Sequence, residues 1–266
     1  MSSAAKGRAD EMVVKNGWLS LAAVLIAFAA WWAVTAAGWI NPLFVPSPQA
    51  VWKAFVEICR DGYKGSPLMT HIGASLLRLG IAFAIALATA IPLGLISGHF
   101  AKARAIVDPF IEFYRPLPPL AYYTLLVLWL GIGNSSKIAL LALAAFAPLY
   151  IAVVAGVVRV PQDRINGARS LGAKRLDIFT HIIFPSCLPD IFTGIRTSLG
   201  VTYTTLVAAE MVAAVSGMGW MVLDASKFLR SDVIFVGIIL MGLIAVLIDG
   251  SIRLLERSRV PWNGKE

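Results

Sequence analysis

Arg78 and Glu210 are charged residues set inside long apolar runs of this 266-residue chain. A charge at the centre of a hydrocarbon layer costs ~2.5–3.5 kcal/mol or more, so such a residue faces a partner or a cavity. If the runs are helices, Glu210 lies roughly two-thirds of the way outward along residues 188–214, and Arg78 lies about two turns in from the outer end of residues 72–97. Matched depth allows the two to pair. The pair has two possible uses: locking helices together, or taking part in the path or gate of a charged solute. Thr202, Tyr203, Thr204 and Thr205 precede Glu210 and give the same run a polar face. Hydroxyls there could hand an anion along without trapping it, or could hydrogen-bond between helices at ~0.6 kcal/mol each. Glu112 and Arg115, three apart on one helical face, can pair with each other. Asp108, Asp190 and Asp249 sit near the ends of their runs, within reach of water.

Other chemistries lack their residues. No G-x-x-x-x-G-K-[ST] loop is present to cradle nucleotide phosphates, no H-E-x-x-H pairs histidines for a metal, and no G-x-S-x-G presents a nucleophile. His71, His99 and His181 are far apart, and Cys59 and Cys187 are too few for a disulfide framework or a cysteine metal site. The chain is thus expected to be no enzyme and to hold no metal or cofactor.

The elements that must position these residues follow from composition. With 58% hydrophobic and 14% charged residues and a mean hydropathy of +0.77, a water-soluble domain could not hide its apolar surface. The expected fold class is an all-α integral membrane protein with six transmembrane helices, at about 18–40, 72–97, 106–130, 137–158, 188–214 and 233–255. Residues 1–16 read as a loose polar tail, and residues 17–266 as a single membrane domain. Residues 18–40 are too long for a signal-peptide core. After them, Val51, Trp52, Phe55, Ile58 and Cys59 make the stripe of an amphipathic surface helix. Prolines at 92, 109, 116, 118, 119 and 148 fall in or near the spans, which such breaks survive only beside neighbouring helices or a wet cavity.

Of 23 Lys and Arg, 14 fall in segments on the side of the N-terminus and 6 on the other. By the positive-inside rule both termini are cytoplasmic. The net charge of +8 is then explained by the lipid bilayer, with no need of nucleic acid.

The cytoplasmic segment 159–187 carries the most specific pattern. Asp163, Arg164, Arg169, Lys174, Arg175 and Asp177 keep it out of the bilayer. Pro161 can open a helix with Ile165, Ala168 and Leu171 on one face, and Gly172 can end it in a left-handed turn. A second helix follows with Leu176, Phe179, Ile182 and Ile183 as its stripe, until Pro185 and Pro189 interrupt it. Asn166-Gly167-Ala168, then Gly172 four positions on, then Ile182-Ile183-Phe184-Pro185, keeps the spacing of a known signature: Glu-Ala-Ala, three residues, Gly, nine residues, Ile, one residue, Leu-Pro. The chain thereby resembles the permease subunits of type I ABC importers. Asn166, Gly167 and Phe184 depart from the signature residues. YRPLPPLAYY at 114–123, LWLGIGNSSKI at 128–138 and LVAAEM at 206–211 extend the resemblance to the taurine, alkanesulfonate and nitrate permeases, the taurine permeases above all.

The resemblance implies an importer subunit of the bacterial inner membrane that forms the pathway for a small sulfonate such as taurine. It implies three partners: a pair of separate ABC ATPase subunits that bind ATP and Mg, a second copy of this chain, and a periplasmic solute-binding protein. It assigns ATPase coupling to Asn166, Gly167, Ala168, Leu171, Gly172, Ala173, Ile182 and Pro185. Tyr203, Thr204, Glu210 and Arg78 stand as candidates for the pathway or its gate. A permease for another small anion, alkanesulfonate or nitrate, is the nearest alternative, with an ion-coupled secondary transporter and a membrane-anchored enzyme or scaffold behind it.

Overall fold

A computed structural model of the protein describes residues 3–262, and among these no strand occurs. The helices are α1 (Ser3–Ala36), α2 (Pro48–Asp61), α3 (Leu68–His99), α4 (Ala101–Tyr114), α5 (Pro119–Leu130), α6 (Asn134–Val158), α7 (Gln162–Ser170), α8 (Arg175–Ile178), α9 (Phe184–Ala213), α10 (Met218–Lys227) and α11 (Ser231–Arg259). A π-helical turn, Phe179–Ile183, joins α8 to α9. Among the described residues five helices are long and apolar enough to cross a membrane: α1 from Trp18, α3, α6, the continuous run Arg175–Ala213, and α11. The protein is a multi-pass membrane protein.

Three expectations need correction. The tail expected over residues 1–16 is helical from Ser3 and continuous with α1, while Met1, Ser2 and the charge counted at Lys265 lie outside the described residues. The third span expected at 106–130 is two helices, because Pro116, Pro118 and Pro119 break the chain between α4 and α5. At ~1.5 Å per residue, the 12 residues of α5 fall well short of a ~30 Å hydrocarbon layer. Pro185 and Pro189 do not interrupt the second helix of the 159–187 segment. The π turn ends at Phe184, whose N–H reaches Phe179, and this widened turn accommodates a proline that has no N–H of its own. Pro185 then sits in the first turn of α9 and Pro189 within it.

Helices α3, α6 and α9 form the centre. On α3, a side chain at Gly94 or Gly98 would come within 2.8 or 2.6 Å of Val153 or Val157 on α6, so small residues set that close crossing. Leu79, Ala82, Leu141, Leu199 and Leu206 fill the middle of the three-helix contact. A separate cluster joins Val51, Ala54 and Ile58 of α2 to Met221 of α10 and Val236 of α11. Ser47 caps α2, its hydroxyl accepting the Ala50 N–H at 3.2 Å. The stripe expected on α2 is rotated: Ala54 is buried, while Trp52 and Cys59 are exposed. Helix α1 lies at the edge, attached through Trp31, whose ring stacks on Phe235 at 5.7 Å and whose indole N–H donates to the Pro46 carbonyl at 3.1 Å. Its exposed Leu, Ile, Phe and Trp side chains suit a lipid environment.

Candidate functional site

The segment between α6 and α9 is seated on the bundle. Ile165 of α7, Ile178 of α8 and Ile183 of the π turn are buried in one cluster with Val153 and Val157 of α6 and Cys187 and Ile191 of α9. Arg159, at the end of α6, pairs with Asp190 on α9 at 2.6 Å. The turn after α7 has a full Schellman geometry. The Ala173 N–H donates to the Ala168 carbonyl at 3.0 Å, the Gly172 N–H to the Arg169 carbonyl at 2.9 Å, and Gly172 has φ +85°. Ala168 and Ala173 both pack against the cluster, completing the hydrophobic contact of that motif. This gives Ala168 and Gly172 a local physical role: they set the angle between α7 and α8.

The outer surface of this segment is bare. Leu171 is 90% exposed and Leu176 is 71% exposed, and nothing lies within 4 Å of where a side chain at Gly167 would start. The sequence pattern put Leu171 inward with Ile165 and Ala168. Because α7 stops at Ser170, Leu171 is the capping residue and turns away from that face. The stripe on the second helix shifts in the same way. Ile178 and Ile183 are buried, Phe179 and Ile182 are half-buried, and Leu176 faces out; the five-residue step from Ile178 to Ile183 matches the wide turn between them.

At the other end of α9, Glu210 and Arg78 form an ion pair at 2.6 Å, with side chains only 1% and 6% exposed. Glu210 is in the last turn of α9, closer to the helix end than its depth in the apolar run implied. Its carboxylate also accepts the Ser75 hydroxyl at 2.8 Å and the Gly219 N–H at 3.0 Å. Arg78 uses its remaining donors on the Asn134 side-chain oxygen at 2.8 Å, the Ser216 carbonyl at 2.8 Å and the Ser216 hydroxyl at 3.1 Å. Every charge is thus met by several partners, which is what makes a buried pair tolerable. Together they pin the α9–α10 loop onto α3 and the start of α6. Gly217 in that loop has φ +128°, and any side chain there would run into the Glu210 carboxylate.

Residues around this cluster extend it. The His71 ring stacks on Trp220 at 5.4 Å, and its Nδ1 accepts the Gly217 N–H at 3.3 Å. Burial and the neighbouring Asp224 carboxylate, which accepts the Tyr63 hydroxyl at 2.9 Å, push that phenol upward from its ordinary range. Lys137 is 3% exposed and donates to the Gly133 carbonyl at 3.0 Å.

This all-helical arrangement matches a known one. The family of binding-protein-dependent transport system inner membrane components matches residues 90–260. The taurine transport system permease protein TauC of Escherichia coli (strain K12) is 44% identical over 93% of this chain and 90% of its own length. The chain belongs to this family of permeases. The putative aliphatic sulfonates transport permease protein SsuC of the same organism is 37% identical, with 88% of each chain covered. The nitrate import permease protein NrtB of Synechocystis is 33% identical over 77% of this chain and 74% of its own. An inward facing structure of the MetNI methionine ABC transporter shares the fold, with TM-score 0.64, 17% identity, and coverage of 72% of this chain and 95% of that one.

Within the permease, the expected coupling residues lie together. Asn166, Gly167 and Leu171 are on the outer surface, Ala168, Ala173 and Ile182 are half-buried against the cluster, and Pro185 lies beyond the π turn. The pathway candidates divide. Arg78 and Glu210 meet, but the Tyr203 hydroxyl donates to the Met241 carbonyl of α11 at 2.8 Å, and Thr204 is on an exposed face of α9. The threonine hydroxyls do not bridge helices. Thr202, Thr204 and Thr205 each donate to carbonyls three or four residues back in their own helix. Sequence reasoning missed Ser75, Asn134 and Ser216, whose residue types carry no burial signal, and the six basic residues it puts on the outer side include Lys137, which is buried. Glu112 and Arg115 make no ion pair with each other. Asp108 is taken instead by Arg104 at 3.1 Å and the Tyr150 hydroxyl at 2.9 Å. Among the described residues no cluster of three or more His, Cys, Asp or Glu could hold a metal ion.

Proposed function

We propose that this permease is the membrane subunit of an ATP-driven importer for a small sulfonate such as taurine, and that it works as a pair with a second copy. Two separate ATPase subunits bind ATP and Mg, and a periplasmic binding protein delivers the solute. The termini and α7 lie on the cytoplasmic side of the bacterial inner membrane. A sixth crossing is made jointly by α4 and α5, packed against α6.

The observation that carries this reading is the continuity of the run Arg175–Ala213. One end holds the bare turn at Leu171 and Gly172, and the other holds the Glu210–Arg78 pair. A push on the turn moves a single rod, because Ile165, Ile178 and Ile183 fasten the turn to the rod's base. The exposed apolar side chains Leu171 and Leu176 are the surface an ATPase groove would take. When ATP draws the two ATPase subunits together, the rods rock and the outer contacts exchange, giving alternating access between two discrete arrangements.

The exposed face of α9 that bears Thr193, Thr197, Gly200 and Thr204 is the proposed wall of the pathway. The hydroxyl protons of Thr193 and Thr197 are engaged with carbonyls four residues back, at 2.9 Å each. The face therefore offers a passing anion no fixed donor and does not trap it. The Arg78–Glu210 cluster closes the outer end. A photo-crosslinker at Leu171 tests the assignment. It should capture a subunit that hydrolyses ATP, and the yield should change when nucleotide is added. Capture of lipid alone, with or without nucleotide, would end the coupling assignment.

A further inference from the structure

A cleft of about 840 Å³ opens where α3 ends and the turn segment begins. Its rim carries Arg169, Arg175 and His99, and no acidic residue lines it. Arg169 is in the last turn of α7 and Arg175 opens α8, so the two guanidinium groups stand on opposite arms of the Gly172 turn. Both are exposed, and neither is ion-paired with a described residue. The His99 ring is held at the rim by edge contacts with Phe100 at 4.7 Å and Phe179 at 6.2 Å. The floor is apolar. Ile96 and Val158 line it and are 49% and 53% exposed.

Two requirements identify the occupant. Unpaired cations with no carboxylate among them call for an anion, and guanidinium forks match phosphate oxygens in pairs. An apolar floor at the end of a 32-residue apolar helix calls for a hydrocarbon chain. An anionic phospholipid meets both, and basic pockets at the cytoplasmic ends of membrane helices recognise such head groups.

We propose that this cleft binds an anionic phospholipid, with its phosphate between Arg169 and Arg175 and an acyl chain along Ile96 and Val158. A phosphate held there ties α7 to α8 across the Gly172 turn and stiffens the segment against the bundle. The lipid's sidedness rests on the proposed cytoplasmic placing of α7, but its binding does not. Leu176, which the proposed ATPase groove would take, also lines the cleft, so lipid retention is read first on the chain without the ATPase and its failure is distinguishable from failure of the coupling assignment.

The test is native mass spectrometry of the full chain in detergent with phosphatidylglycerol or phosphatidylcholine added at equal concentration. Phosphatidylglycerol should be retained at least tenfold more than phosphatidylcholine. The double variant Arg169→Gln/Arg175→Gln should lose that preference. Val158→Trp, which fills the floor without touching the charges, should lower retention of phosphatidylglycerol severalfold. Equal retention of the two lipids, or unchanged selectivity in the double variant, overturns the proposal. So does displacement of the lipid by millimolar inorganic phosphate, which would make this a site for a free anion. Displacement by the ATPase subunits on assembly would mean that the cleft is a protein contact, and overturns it as well.

Discussion

The two ends of the α8–α9 rod are built on opposite principles. At the Gly172 end the polar backbone is satisfied locally by the Schellman turn, the inward side chains are aliphatic, and the outward ones set the bare Leu171 and Leu176 among the charges of Arg169, Lys174, Arg175 and Asp177. At the Glu210 end the ion pair itself is buried, although Val212 and Val215 beside it are exposed, and each charge has several partners drawn from α3, α6 and the α9–α10 loop. The proposed grip by another protein would use the first end's uncovered apolar surface, which is held in shape by backbone geometry. The second end hides its charges, and there the removal of one partner costs far more than the pair contributes.

That contrast can be broken in several places. The largest stability loss is expected at the buried end: Glu210→Gln leaves Arg78 without its counter-charge and should cost about 3–5 kcal/mol. Arg78→Met/Glu210→Met should cost less than the sum of its single variants. Thermal unfolding in detergent of the wild type, Glu210→Gln, the two single Met variants and the double Met variant checks both statements, and strict additivity in the Met cycle would show that the charges do not act as a unit.

Gly172→Pro removes the N–H donated to Arg169 and forces φ away from +85°, a local cost of about 3 kcal/mol. It should abolish solute-stimulated ATP hydrolysis in the reconstituted complex while the chain still inserts. Normal turnover would mean that the turn angle does not matter for coupling.

Gly217→Ala sets a methyl group against the Glu210 carboxylate and strains the backbone, and is expected to cost about 1–3 kcal/mol by the same unfolding assay. Leu171→Ala sharpens the comparison from the other side. Because Leu171 is 90% exposed, stability should change by no more than about 0.5 kcal/mol, while solute-stimulated ATP hydrolysis falls severalfold. Equal loss of both would make Leu171 a folding residue.

The smallest effect is expected from Thr204→Ala. Its hydroxyl serves only its own helix, so stability should move by less than about 0.6 kcal/mol. Any change in transport would then report on the pathway face directly.

Much of the fold was legible because membrane insertion writes itself locally. Uninterrupted apolar runs place α3, α6, α9 and α11 within a few residues, and the spacing from Asn166 to Pro185 marks the segment at the base of α9. Proline effects were legible only in part. Three prolines within residues 116–119 do break the third run, but the π turn absorbs Pro185, and no periodicity of 3.6 can announce a turn that departs from it.

The side-chain directions at the functional ends were decided by tertiary structure. Leu171 faces out because the cap ends α7 one residue earlier than its stripe suggests, and Lys137 is buried with its ammonium turned back to the Gly133 carbonyl in the α5–α6 turn. Sequence by itself determined the class of solvent, the places of the five long apolar helices though not the break in the third expected run, and the candidacy of Arg78 and Glu210, since burying a charge in hydrocarbon carries a cost that composition reveals. Only the packed bundle decided that these two charges meet, and that Ser75, Asn134 and Ser216 share them. Those partners come from segments up to 138 residues apart, and their polar side chains have no reason to be buried until the charges arrive.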